Sequence, residues 1–82
     1  MLFRSLAQRK NDIPDLVGYF IRLFNPKMGL NVTGISSDAI AALKKHSWEG
    51  NIRELKNAIE RAMLFSDGET IQKADLPYEI WN

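Results

Sequence analysis

Asn51, Arg53 and Glu54, within Trp48-Glu49-Gly50-Asn51-Ile52-Arg53-Glu54-Leu55, set an arginine at the start of a helix. Asn51 is a preferred N-cap residue, and Glu54 follows at capping-box spacing. Asn51 can accept a backbone N–H of the first turn while Glu54 reaches back to the N–H of Asn51. Such a cap is worth roughly 1 kcal/mol. Arg53 falls beside the positive end of the helix dipole, where a cation is disfavoured by about 0.3–1 kcal/mol. The cap has a structural reason and the arginine does not. A guanidinium beside unsatisfied backbone N–H groups is a place for an anion. The plain alternative is a surface or salt-bridged arginine.

Other chemistry has little to draw on. The five glycines are scattered, so no phosphate-binding loop is present. There is one histidine and no cysteine, which leaves no metal cluster, disulfide or Ser-His-Asp triad. His46 reads as a helix C-terminal residue, where a cation suits the dipole. Trp48 reads as an anchor that fixes the turn before Gly50, and Tyr78 and Trp81 read as packing residues. Eighty-two residues with 45% hydrophobic and 26% charged content make one small domain, with little room for a deep enzyme cleft. Nothing points to an independent enzyme.

The net charge of +1 gives no bulk electrostatic case for nucleic acid or an anionic membrane. Charge is uneven, however. Residues 1–27 carry Arg4, Arg9, Lys10, Arg22 and Lys27 against Asp12 and Asp15, whereas residues 66–82 carry Lys73 against Asp67, Glu69, Asp75 and Glu79. This is either a dipolar solvated surface or two ends that dock on different neighbours. No apolar run approaches the roughly 20 residues of a membrane span. Arg4 directly after Met1-Leu2-Phe3 argues against a signal-peptide h-region.

The elements that position the arginine are helical. Residues 1–11 have no clear period and read as a connector. Asp12 is a plausible N-cap with Pro14 in the first turn, and Leu16, Val17, Phe20, Ile21 and Phe24 repeat at helical spacing. Asn25-Pro26 is expected to stop or bend this helix. After a connector over 27–35, Ser36 reads as the next N-cap, with Ala39, Ile40 and Leu43 inside and Lys44, Lys45 and His46 in the last turn. The third helix has the stripe Leu55, Ala58, Ile59, Ala62 and Met63, and ends at Asp67-Gly68. Lys73 to Leu76 fits one helical turn before Pro77, and Tyr78, Ile80 and Trp81 form a hydrophobic tail expected to pack back. No strand is demanded. The expected fold is all-α: a small orthogonal bundle of three main helices plus a short C-terminal one.

The second and third helices, joined by a short Gly-containing turn, resemble a helix-turn-helix. Such a DNA reader would use Asn51, Arg53, Lys56 and Asn57 near the start of its second helix. Glu54 and Glu60 dilute that field. An autonomous DNA-binding module is the alternative reading.

Residues 48–62, Trp-x-Gly-Asn-Ile-Arg-Glu-Leu-x-Asn-x-Ile-Glu-Arg-Ala, closely resemble the C-terminal helical lid of AAA+ ATPases, specifically of bacterial sigma-54-dependent transcriptional activators (enhancer-binding proteins). Arg9-Lys10-Asn11-Asp12-Ile13-Pro14 resembles the family's entry into its first lid helix, and Gly34-Ile35-Ser36 its entry into the second. Ser66-Asp67-Gly68-Glu69 and Asp75-Leu76-Pro77 resemble its exit. The match covers roughly residues 5–80, in order. The chain departs from the family where Glu49 replaces a usual proline, and where Ala7 and Gln8 replace a usual arginine and glutamate.

The resemblance implies a connector from an α/β AAA+ core over 1–11 and the lid over 12–82. It implies that Arg53 is the sensor 2 arginine, directed at the phosphates of ATP held with magnesium by that core. Ile52 and Ile13 are then lid residues near the adenine, and Asn51, Glu54, Trp48 and Gly50 the structural part of the motif. The implied partners are the protein's own core, neighbouring ring subunits and sigma-54 RNA polymerase, with DNA bound through a separate domain. The implied setting is the bacterial cytoplasm, with no membrane. The fragment alone is expected to be inactive.

Overall fold

A computed structural model describes residues 10–46, 51–66 and 68–81, with the side chains of Lys10, Asn51, Glu79 and Trp81 outside that description. The expected N-terminal connector therefore falls almost wholly outside it. The order of elements is a 3-10 turn at Lys10–Asp12, α1 (Ile13–Met28), β1 (Gly34–Ile35), α2 (Ser37–Lys45), α3 (Asn51–Phe65), β2 (Thr70–Ile71), a 3-10 turn at Lys73–Asp75, and α4 (Tyr78–Trp81). Three main helices and a short fourth make an all-α bundle.

Helix α1 buries Ile13, Val17, Phe20, Ile21 and Phe24, the spacing of one helical face. The Phe20 and Phe24 rings stack with centroids 6.3 Å apart. Asp12 does precede the helix, but its backbone is already in the right-handed helical region and its carboxylate makes no capping bond. The 3-10 turn runs straight into α1, so Asp12 lacks the extended backbone that a capping side chain needs. Leu16 is only half-buried.

Asn25-Pro26 does not stop α1, which continues to Met28. Pro26 is exposed on the outer side of α1, where water can meet a carbonyl that a proline leaves without its helix partner. The stop comes from Gly29, in left-handed backbone at φ 67°. The Leu30 N–H then bonds the Asn25 carbonyl at 3.0 Å, the six-to-one closure of a Schellman end. The Asn25 side chain clamps the following loop: its Nδ2 donates to the Val32 carbonyl at 2.8 Å, and its Oδ1 accepts from the Val32 N–H at 3.0 Å. That clamp seats Val32 in the core at 4% exposure.

The structure contains a parallel strand pair that the sequence did not demand. Gly34 lies opposite Thr70 and Ile35 opposite Ile71. The Glu69 carbonyl accepts from Thr33 N–H at 2.7 Å and the Ile71 carbonyl from Ser36 N–H at 2.9 Å. Two residues per strand leave no readable period, and the pairing spans some 36 positions.

Ser36 caps α2 as expected, its Oγ accepting from the Ala39 N–H at 3.1 Å. Ala39, Ala42 and Leu43 are buried and Ile40 packs against them half-buried. In α3 the whole stripe of Leu55, Ala58, Ile59, Ala62 and Met63 lies at 3% exposure or less. Helices α1 and α3 form the most extensive pairing, while α2 rests on α4 and the second 3-10 turn. Asp75 Oδ2 accepts from the Gln72 N–H at 2.8 Å, closing that turn. Leu76 and Ile80 return to the core, but Tyr78 does not: it is 62% exposed. Helix α4 is only one turn long and can turn one apolar side inward, and Ile80 takes that side.

Replacing Asn25 by alanine strands the Val32 N–H and carbonyl and is expected to cost about 1–3 kcal/mol. Asn31→Ala, at an exposed neighbour, is expected to stay within about 0.5 kcal/mol. Urea unfolding of the two variants checks this difference.

Candidate functional site

The α3 N-terminal turn directs consecutive side chains differently. Successive helical residues point about 100° apart. Leu55 enters the core at 0% exposure, Ile52 packs half-buried against the core cluster, and Arg53 is exposed. Among the described residues no ion pair or hydrogen bond is recorded for Arg53. Glu54 leans back toward α2, its Oε2 lying 3.5 Å from His46 Nε2. Its carboxylate also sits in the first turn of α3, where negative charge suits the dipole.

Trp48 and Gly50 lie outside the described residues, as does the Asn51 side chain expected to cap α3; Glu49, Ala7 and Gln8 lie outside them as well. The α-helical backbone begins at Asn51 itself. Ile13 lies within the core at 0% exposure, whereas Ile52 retains surface. The two share one apolar cluster, Ile13 as a member and Ile52 packed against it, so of this pair Ile52 is the one a bound molecule could touch.

Among the described residues, two of the concave features have little sequence signal. A small pocket of about 130 Å³ beside α3 is lined by Glu54, Asn57, Ala58, Arg61, Pro77 and Ile80. The i, i+4 spacing of Asn57 and Arg61 hinted at a shared face, but Pro77 and Ile80 come from the far end of the chain. A groove of about 460 Å³ runs between α1 and the β1 strand, with Pro14, Gly18, Arg22 and Gly34 among its walls. No periodicity links α1 to β1, so this groove had no sequence signal. Among the described residues no group of three or more His, Cys, Asp or Glu could hold a metal. None of the described helices is long and apolar enough to cross a membrane.

Helices α2 and α3 are consecutive, with Arg53, Lys56 and Asn57 exposed on the second. Exposed Glu60 and half-buried Glu54 share that helix. Residues 7–82 match the AAA+ ATPase lid domain family. The chain belongs to that family. The lid is 43% identical over 76 residues to the transcriptional regulatory protein ZraR of Escherichia coli K12, covering 93% of this chain and 17% of that protein. It is 44% identical over 64 residues to the nitrogen assimilation regulatory protein NtrX of Azorhizobium caulinodans, covering 78% of this chain and 14% of that one. A crystal structure of NtrX from Brucella abortus in complex with ADP superimposes with a TM-score of 0.84 at 40% identity, over 93% of this chain and 18% of that one. The same protein in complex with ATP gives a TM-score of 0.83 at 39% identity, over 93% and 19%. The lid is thus of the type carried by sigma-54-dependent activators, and it spans less than a fifth of the relatives it matches.

Arg53→Glu replaces a disfavoured charge by a favoured one, so stability of the isolated lid is expected to rise by about 0.3–1 kcal/mol at low salt. A urea midpoint that falls instead would show that Arg53 has a structural partner.

Proposed function

We propose that the lid delivers Arg53 to the phosphates of a nucleotide held by the α/β core of a complete AAA+ ATPase, as the sensor 2 arginine. The observation that carries this reading is the exposed Arg53 in the first turn of a helix whose next inward residue, Leu55, is fully buried. The arginine is held at a defined place by a rigid helix, yet its own surroundings do not favour its charge. An arginine fork beside a helix N-terminus suits phosphate oxygens. In phosphoryl transfer, such fixed charge acts mainly by stabilising charge that develops on the transferring group. The relative NtrX is known in complexes with both ADP and ATP, which supports a nucleotide as the anion.

Ile52 supplies an apolar contact near the adenine, backed by the core cluster that contains Ile13. Residues 1–11 connect the lid to the core, which supplies the magnesium and the remaining catalytic groups. Lid rotation couples nucleotide state to contacts between ring subunits, a domain-closure switch. The ring in turn remodels sigma-54 RNA polymerase in the bacterial cytoplasm, with DNA held by a separate domain. The lid alone neither hydrolyses ATP nor binds it usefully.

Two measurements test this. Calorimetry on the 82-residue chain is expected to show no saturable ATP binding at micromolar concentrations; micromolar affinity, about −8 kcal/mol, contradicts the proposal. With this lid grafted in place of the matching segment of ZraR, Arg53→Ala is expected to lower ATP hydrolysis about 100-fold or more. Unchanged hydrolysis and unchanged transcriptional activation by that variant would remove Arg53 from the mechanism.

A further inference from the structure

We infer that His46 is a positioning residue for Arg53, acting through Glu54. This rests on the reading of Arg53 as the phosphate-directed arginine.

His46 is the C-cap of α2, and its backbone N–H bonds the Ala42 carbonyl at 3.2 Å, so the residue is fixed to the end of that helix. Its Nε2 lies 3.5 Å from Glu54 Oε2, with the imidazole at 16% exposure and the carboxylate at 38%. The link therefore joins the C-cap of α2 to the first turn of α3. Burial of Leu55, with Ile52 packed half-buried in the same turn, holds one side of the start of α3 against the core. The His46–Glu54 contact holds it at a second point, about 100° round the helix. That contact adds a restraint on the flank of the turn, and so on its residual rotation about its own axis. Arg53 occupies the adjacent position on the remaining, exposed side, so this rotation sets where its guanidinium is aimed. A single contact of this kind, with its carboxylate partly open to solvent, contributes little net to folding. Aim, however, is sensitive in a way that stability is not: a misplacement of about 1 Å can cost a catalytic group about 100-fold in rate.

The test uses the ZraR graft that carries this lid. His46→Ala is expected to lower kcat for ATP hydrolysis about 10-fold or more while KM for ATP stays within about two-fold. His46→Gln places an amide nitrogen near the position of Nε2 and is expected to restore most of the lost kcat. Glu54→Ala is the second variant, expected to reproduce the fall. The His46→Ala/Glu54→Ala double variant is expected to be no slower than either single one, because both remove one link. Circular dichroism of the 82-residue chain identifies any variant whose loss comes from unfolding; if His46→Ala is one, the comparison rests on His46→Gln and Glu54→Ala. Wild-type kcat in Glu54→Ala, or additive losses in the double variant, overturns the inference. If Arg53→Ala abolishes hydrolysis while His46→Ala and Glu54→Ala leave kcat intact, the positioning role alone fails. If Arg53→Ala is itself silent, the sensor 2 reading fails and the positioning role falls with it.

Discussion

Leu55, Ala58, Ile59, Ala62 and Met63 run along one side of α3, and the pairing of that helix with α1 depends on their burial. A fully buried aliphatic side chain of this size contributes about 1.5–3 kcal/mol, so the stripe outweighs several times over the 0.3–1 kcal/mol or so by which the dipole disfavours Arg53. That inequality allows a helix to keep a cation at its positive end. It also decides where the cation points. With Leu55 locked inside, Arg53 two positions earlier has to lie on the outer side of the first turn.

The remaining elements serve that pairing. Asn25 folds the chain leaving α1 so that Val32 reaches the core, and the parallel β1–β2 contact then ties the entry of α2 to the exit of α3. The return of Leu76 and Ile80 covers the side on which α2 rests. The strand pair and the C-terminal return connect residues far apart in sequence, and in a chain of this size such links close much of the small core.

This division explains what was legible in the sequence. The three apolar stripes follow from side-chain spacing alone, and all three main helices are where that spacing puts them. The Ser36 cap was equally readable, because the group it satisfies is three residues away. Pro26 misled because its local effect opposes a helix, whereas the Gly29 end and the Asn25 clamp favour one through the loop beyond. The strand pair was invisible because neither strand has enough residues to show alternation. Tyr78 and Ile80 are chemically alike in a pattern, and only the geometry of one short turn separates the exposed residue from the buried one. At the site, the misfit of Arg53 could be read from the cap and the dipole, and the motif around it led to the family. The His46–Glu54 contact could not, since the two residues lie eight positions apart on different helices with no shared period.

In the function proposed above, the exposed arginine of α3 is aimed at phosphate. The most direct measurement is a crystal structure of the ZraR graft carrying this lid, with a non-hydrolysable ATP analogue bound. A guanidinium nitrogen of Arg53 is expected about 2.7–3.2 Å from a β- or γ-phosphate oxygen. A nucleotide bound in the core with Arg53 turned to solvent, or paired to a carboxylate of its own chain, would contradict it.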